Sequence, residues 1–336
     1  MRIALDAMGT DNNPTPDVIG GLLASQERPD VKLVLIGDQR RIEAAAQAQS
    51  GGLGKIEVIH ADIAVDMHDK PSEVIKGKPG SSMHVGLKLL EDNAVDAFVT
   101  MGNTGAAHAI ATLHAPRRIR GVKRPALSGI FSVEGRPKIF LDIGANSDCK
   151  ADWLAQFAVM GSVYASSVLG YASPRVCLLS NGEEEGKGND LVRETAKLLK
   201  RSSLNYVGNA EPKEIFMKDV ADVIVSDGFS GNLLMKTFEA TTRYLSSTIR
   251  TEIKAGLLSS IGGLLIKGSM NRVKGRFDTS TVGGAPLLGV QGVVIIGHGS
   301  STEIGVKNAV HQAVKAVEGQ AVSKMTQQLA QFVTES

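Results

Sequence analysis

Six times along this chain a short run rich in Val, Ile and Leu stops at a polar loop that carries glycine, and an amphipathic stretch usually follows. That order predicts strand, loop and helix in repetition. The first three runs are Val31 to Ile36 before Gly37-Asp38, Ala97 to Val99 before Met101 to Gly105, and Lys138 to Leu141 before Asp142 to Asn146. The later three are Arg175 to Leu179 before Ser180 to Gly188, Val220 to Val225 before Ser226 to Gly231, and Gly292 to Ile296 before Gly297 to Ser300. The runs barely alternate, as parallel strands covered on both faces do. The expected fold is therefore α/β: a doubly wound, mostly parallel sheet with helices on both faces. Ligands of such sheets bind beyond the carboxyl ends of the strands, so the glycine loops are the site candidates. No repeat of fixed period and no linker divides the chain, which reads as a single α/β unit over 1–336.

Composition removes several classes of function. Lys+Arg number 37 against 35 Asp+Glu, a net charge of +2, which argues against a nucleic-acid coating protein. A 43% hydrophobic content excludes overall disorder. The two cysteines, Cys149 and Cys177, are too few for a disulfide framework or a Cys-rich zinc site and suit a reducing cytoplasm. The opening residues lack the apolar stretch of a secretion signal, and no run of about 18 apolar residues suggests a membrane span. A cytoplasmic protein is expected.

The segment Thr241 to Phe277 differs from the rest. Ile249, Ile253, Leu257, Ile261 and Leu264-Leu265 fall on one face at helical spacing, with Leu258 beside them, and Gly262-Gly263 weakens the middle. Two amphipathic helices meeting at those glycines are expected. Arg243, Arg250, Lys254, Lys267, Arg272, Lys274 and Arg276 face the single acid Glu252 there. Such a basic, apolar excursion suits an acyl groove, an acidic protein partner, an anionic lipid surface or a dimer interface.

The loops lack the common nucleotide signatures. Gly182 to Asn189 has the wrong spacing for a P-loop and no Ser or Thr after Lys187, and no G-x-G-x-x-G follows the first strand. Backbone N–H groups at several helix starts, reinforced by Lys187, instead predict a cradle for a small anion or a phosphate. Neutral donors around it would be Asn103, Thr104, Asn146, Asn189, Ser230, Asn232, His298, Ser300 and Ser301, although Asn and Ser in such places are equally helix N-caps. Among Glu183, Glu184 and Glu185, at least one should pair with a lysine, since a carboxylate beside phosphate is unfavourable. Carboxylates at metal-cage spacing are absent, so no metal and no cofactor is expected. Cys149, at the start of a helix, is one candidate nucleophile. Cys177 lies inside a strand.

Taken together, the motifs resemble one family along nearly the whole chain. They are Asp6-Ala-Met-Gly9 with Asp11 and Pro14, Gly102 to Ala106, Arg124-Pro-Ala-Leu127, Asp142 to Lys150 with Gln156 to Tyr164, Asn181 to Asn189, Asp227 to Asn232, Gly283 to Gly289, and His298-Gly-Ser-Ser301. In this order they resemble the acyl-ACP:phosphate acyltransferases of bacterial phospholipid synthesis. Departures are Thr10 for a more usual glycine, Met101 for alanine and His84 for arginine. The resemblance implies a fold like those of isopropylmalate dehydrogenases and phosphate acetyltransferases. It implies a homodimer, and transfer of an acyl group from acyl carrier protein to inorganic phosphate. Expected roles follow: phosphate or oxyanion binding for Lys187, Gly186, Gly188, Asn189 and Gly102-Asn103-Thr104-Gly105, and assistance to the leaving sulfur by His298 with Ser300. Asn146, Asp148, Asp227 and Asn232 would position substrate. Ile253, Lys254, Leu257, Leu258, Ile261, Lys267, Arg272 and Lys274 would meet carrier protein, acyl chain or membrane, or a membrane-bound glycerol-3-phosphate acyltransferase. Competing readings are a phosphate acetyltransferase using short acyl-CoA, a decarboxylating dehydrogenase of related fold, and a non-catalytic membrane-recruited scaffold.

Overall fold

The computed structural model describes residues 1–277 and 283–335, with the side chains of residues 50, 271, 274–277 and 333–335 outside the description. The chain opens with β1 (Arg2–Asp6), α1 (Thr15–Glu27), β2 (Lys32–Gly37), α2 (Gln39–Ser50), β3 (Glu57–His60), α3 (Pro71–Gly77), α4 (Ser82–Glu91), β4 (Ala97–Thr100) and α5 (Thr104–Leu113). A hairpin follows, β5 (Ala126–Val133) and β6 (Arg136–Leu141), joined by Glu134-Gly135. Both turn residues have positive φ, 52° and 81°, as a two-residue hairpin turn requires. Next come α6 (Ala151–Ser167), β7 (Val176–Leu179), α7 (Asp190–Arg201), β8 (Tyr206–Ala210), α8 (Pro212–Met217) and β9 (Val223–Val225). The chain closes with α9 (Gly228–Lys254), α10 (Leu257–Phe277), β10 (Ala285–Leu288), β11 (Val293–Ile296), α11 (Glu303–Glu318) and α12 (Ala321–Glu335).

The described strands form a single sheet in the order β3-β2-β1-β4-β11-β10-β5-β6-β9-β7-β8. All six runs expected from the sequence are strands in it. Burial explains their lack of alternation, since Leu5, Leu35, Ile36, Phe98, Phe140 and Leu141 are fully covered by helices on the two faces. The sheet is parallel within each half, but β10 runs antiparallel to both β11 and β5, and β5 is antiparallel to β6. Three reversals between β11 and β6 leave β6, β9, β7 and β8 running opposite to β1, β2, β3, β4 and β11. Pairings through Ser128, Pro286 and Ile295 put Leu141, the last residue of β6, level with Val99 near the end of β4. The two halves thus end at one height from opposite directions. Their carboxyl-end loops leave the sheet in opposite directions.

The excursion is a helical hairpin. Its break lies at Ala255-Gly256, where the Gly256 N–H meets Ser259 Oγ at 3.1 Å, and not at Gly262-Gly263 as the sequence suggested. Those glycines stay helical because Gly263 faces the other arm; a Cβ there would come within 2.3 Å of Ile253 Cγ2. Close approach, not bending, is what that glycine permits.

Under the amino ends of β6, β9 and β7 sits a buried ionic group. Lys138, 1% exposed, pairs with Asp219 and with Asp222 Oδ1 at 3.2 Å, and Arg175 bonds both acids. Burial acts to raise the Asp222 pKa, but the Arg175 side chain and N–H together with Lys138 outweigh it and bring it to about 2. Its contribution to stability is therefore complete above the unfolded carboxylate value of about 3.9 and is lost as pH falls toward 2. Asp222→Asn is expected to destabilise the protein by about 3 kcal/mol at pH 7, because Lys138 is left under-compensated, and to flatten the acid limb. Urea unfolding at pH 7 and pH 3 checks both, and equal acid slopes in variant and wild type would remove Asp222 from the acid response.

Candidate active site

The loop after β6 is built around one carboxylate. Asp142 is fully buried, and its Oδ1 accepts the N–H groups of Gly144 (3.0 Å), Ala145 (2.9 Å) and Leu127 (3.2 Å). Its Oδ2 accepts the Asn146 N–H (2.7 Å) and Nδ2 (2.8 Å). The start of α9 then docks on this loop. The Gly228 N–H donates to Asn146 O at 2.8 Å, and a Cβ at Gly231 would lie 2.0 Å from Asp142 O. Only glycine allows so near an approach.

Between these elements lies a cleft of about 580 Å³ lined by Ser147, Asp148, Cys149, Asn189, Leu191, Asp227, Phe229 and Ser230. Two helices start at its wall. Asn189 caps α7, accepting the Val192 N–H at 3.0 Å, and Asp227 caps α9, accepting the Ser230 N–H at 2.8 Å and its hydroxyl at 2.9 Å. With those caps in place, the N–H groups of Asp190, Leu191 and Phe229 have no protein partner among the described residues. They are the first-turn donors that an anion uses. Lys187 stands on the loop before α7, exposed and without an ion-pair partner among the described residues, while neighbouring Glu185 pairs with Lys200. One of the three acids does have its lysine.

Other expected donors are already occupied. Asn146 Nδ2 donates to Pro125 O and to Asp142, so it shapes the loop. Asn232 packs against Gly144, which has φ 141°. Asn103 caps α5 through Oδ1, and its Nδ2 reaches the carbonyls of Asp66, Met67 and Asp69, leaving it no hydrogen for a ligand. The thiol of Cys149 lies 3.4 Å from Asn146 O. Burial, then the Asp142, Asp227 and Asp148 carboxylates, push its pKa up to about 12 despite the Gly228 N–H. It is a neutral wall group rather than a thiolate.

The expected site residues fall into two sets. Asn189, Asp148 and Asp227 line the cleft; Gly186, Lys187 and Gly188 lie on the loop that leads to Asn189, and Asn146 and Asn232 brace the loop and helix behind it. Gly102, Asn103, Thr104, Gly105, His298 and Ser300 instead belong to loops after β4 and β11, which point the other way. There Gly297 N–H donates to Thr100 O and Asp11 N–H to Gly299 O, each at 2.8 Å, over buried Asp6 and Asp17. Burial is the main cause that raises Asp17 to about 7, and Thr10 Oγ donates to it at 2.5 Å. His298 is exposed, and neither it nor Ser300 lines the cleft. The excursion residues Ile253, Lys254, Leu257, Leu258, Ile261, Lys267 and Arg272 lie on the hairpin; the Lys274 side chain lies outside the described residues. Sequence reasoning passed over Ser147, Leu191 and Phe229, whose one signal is their place beside a helix cap. Among the described residues no group of His, Cys, Asp and Glu could hold a metal.

The architecture is that of the phosphotransacetylases. Solved phosphotransacetylases from Streptococcus pyogenes (TM-score 0.61, 17% identity, 96% of this chain and 94% of that one) and Staphylococcus aureus (TM-score 0.59, 17% identity, 94% of each) are similar in fold. The family described as "Fatty acid synthesis protein" matches residues 1–324. Proteins named phosphate acyltransferase from Dictyoglomus turgidum (45% identity, 98% of each chain), Helicobacter pylori (42%, 100% of this chain and 97% of that one) and Nostoc punctiforme (40%, 98% and 96%) are similar over their length. The chain belongs to this family of acyltransferase enzymes. Because Cys149 is neutral, Cys149→Ala is expected to change the acyl-transfer rate by no more than about threefold, and the thiol should react slowly with iodoacetamide at neutral pH. A loss of roughly a hundredfold or more would instead make Cys149 a covalent nucleophile.

Proposed function

We propose that the protein transfers a long-chain acyl group from acyl carrier protein to inorganic phosphate, releasing acyl phosphate and the free carrier thiol. The observation that carries this reading is the meeting of two capped helix starts at a single cleft, with an unpaired lysine on the loop that leads into one of them. A phosphate oxygen attacks the thioester carbonyl carbon, a tetrahedral oxyanion forms, and the carbon–sulfur bond breaks to give a thiolate that takes up a proton. Phosphate is nucleophilic enough to need no triad, so the protein's task is to place it and to hold the oxyanion. Lys187 and Asn189, with the N–H groups of Asp190, Leu191 and Phe229, are assigned to that task. Asp148 and Asp227 leave the cleft short of positive charge, which makes Lys187 the group on which phosphate affinity depends.

The hairpin is assigned to contacts outside the chemistry. Leu257, Leu258 and Leu265 are 86%, 87% and 84% exposed at and near its turn, an apolar patch that calls for a partner. No helix among the described residues is long and apolar enough to cross a membrane. A tip with Leu257 and Leu258 beside Lys254, Lys267 and Arg272 suits the surface of an anionic bilayer, and the helix arms suit the second subunit of a homodimer.

Purified protein given acyl carrier substrate should release thiol and form acyl phosphate, trapped as hydroxamate, only when phosphate is present. Lys187→Ala is expected to raise the phosphate KM about tenfold, the loss of one charge-assisted contact. Unchanged phosphate kinetics would take Lys187 out of the cradle. Leu257→Asp with Leu258→Asp should abolish flotation with anionic liposomes while light scattering still reports a dimer. Flotation that survives would place lipid contact elsewhere.

A further inference from the structure

One rim of the cleft carries a charge pattern that the reaction does not use. Between α5 and β5, the segment from Arg117 to Arg124 contains Arg117, Arg118, Arg120, Lys123 and Arg124 and no acid. All five are exposed. Arg117 reaches Glu91 only at 3.8 Å, and the other four have no ion-pair partner among the described residues. Five like charges within eight residues repel one another, so a free surface gains nothing from them.

The segment is held firmly and faces outward. Its two apolar residues, Ile119 and Val122, are 2% and 5% exposed and act as anchors. Ile119 N–H donates to Gly289 O at 2.9 Å, and Gln291 bonds the carbonyls of Arg117 (2.8 Å) and Arg118 (2.9 Å). Gln156, buried in α6, accepts the Lys123 N–H at 2.9 Å and donates to Gly121 O at 3.0 Å. The Arg124 guanidinium lies over Trp153 at 5.1 Å. The backbone is thus fixed by the core and the charges are left to solvent.

Its place in the fold ties it to the cleft. The segment leads straight into β5, whose entry residue Pro125 accepts a bond from Asn146 Nδ2 at 2.8 Å and whose Leu127 N–H meets Asp142. Neighbouring strands run β5, β6, β9, β7, so their loops succeed one another in the same order along this side of the sheet. The basic segment therefore bounds the cleft on the β5 side, and exposed Glu183, Glu184 and Asp190 bound it on the β7 side. An approaching acidic macromolecule is attracted by one rim and repelled by the other.

We propose that the Arg117 to Arg124 rim is the docking surface for the carrier protein, an acidic protein that presents its acyl thioester on a flexible pantetheine arm. This rests on the function proposed above and adds the place and orientation of the partner. The hairpin is the competing basic surface, but its cations are interleaved with exposed leucines, which suits lipid better than an acidic protein face. The β5-side rim has charge without apolar area and adjoins the cleft that the arm must enter. Charge of this kind acts on encounter rate, so it enters kcat/KM for the carrier and its salt dependence.

The test compares two donors of one octanoyl thioester, octanoyl carrier protein and octanoyl-pantetheine, which is the arm without the protein. Arg120 and Lys123 are chosen because their side chains hold nothing in the fold. For Arg120→Glu with Lys123→Glu, kcat/KM for the carrier donor is expected to fall roughly 30-fold and to lose most of its salt dependence, with the pantetheine donor changed by less than about twofold. A matched variant on the hairpin arm, Arg243→Glu with Arg250→Glu, should leave both donors alike to wild type. An equal fall for both donors, no fall for either, or a carrier-specific fall only in the hairpin variant would each overturn the docking assignment. Failure of wild-type protein to make acyl phosphate from either donor would instead overturn the function on which it rests, and the docking assignment with it.

Discussion

One buried carboxylate organises the cleft side of this molecule. Asp142 gathers five N–H bonds from its own loop and from the start of β5, and so converts a strand end into a rigid platform. Burial works to raise its pKa while those N–H groups oppose it. α9 is then positioned by the platform's carbonyls, since Gly228 and Gly231 bring its first turn onto Asn146 and Asp142. The cleft wall, the first turn of α9 and the entry to the basic rim all depend on that one group. Loss of the charge would leave the Asn146 contact to Pro125 and the Gly228 contact to Asn146 without a common anchor.

The reversal at the centre of the sheet sets the direction in which each glycine loop leaves it. A uniformly parallel sheet would have delivered every glycine loop to one side, and the sequence alone suggests just that. Val, Ile and Leu at covered strands do not record direction, so the six runs were legible while their orientation was not. β5 and β10 were missed as strands, and they are the two that reverse the sheet. β5 is an alternating mixture, Ala-Leu-Ser-Gly-Ile-Phe-Ser-Val, and β10 is four residues with a proline. The consequence falls on particular residues: Asn189 and Asp227 line one cleft at the ends of β7 and β9, while Gly102 and His298 sit on loops that leave β4 and β11 in the opposite direction.

Across the site candidates, residue type told less than position. Asn103, Asn146, Asn189 and Asp227 all occur in loops where the sequence allows either ligand donor or helix cap. Three of them are caps, and Asn146 is a loop brace. Capping still serves the site, because a capped helix start has its first N–H groups aligned and free. Asp190, Leu191 and Phe229 offer backbone atoms for which no side-chain motif exists, and this is why they could not be read. The two-helix excursion was legible from its apolar spacing. Its turn was misplaced because glycine between two helical arms marks close packing as readily as a bend.

The separation of tasks across the surface follows from the same chemistry. Acyl transfer to phosphate needs a placed anion and a stabilised oxyanion, tasks that the proposed function gives to the helix starts and Lys187; a thiol pushed up to about 12, as Cys149 is, is a poor nucleophile at neutral pH. A reaction with so few requirements leaves selectivity to delivery of the acyl group. A free acyl chain would be drawn to exposed leucine, which the hairpin has, whereas a chain sheathed by an acidic carrier would be drawn to charge beside the cleft, which the rim has. If both proposed partners bind as assigned, keeping apolar and purely basic surfaces apart would let the protein rest on one while the other is exchanged at each turnover. A single mixed surface would make those two partners compete.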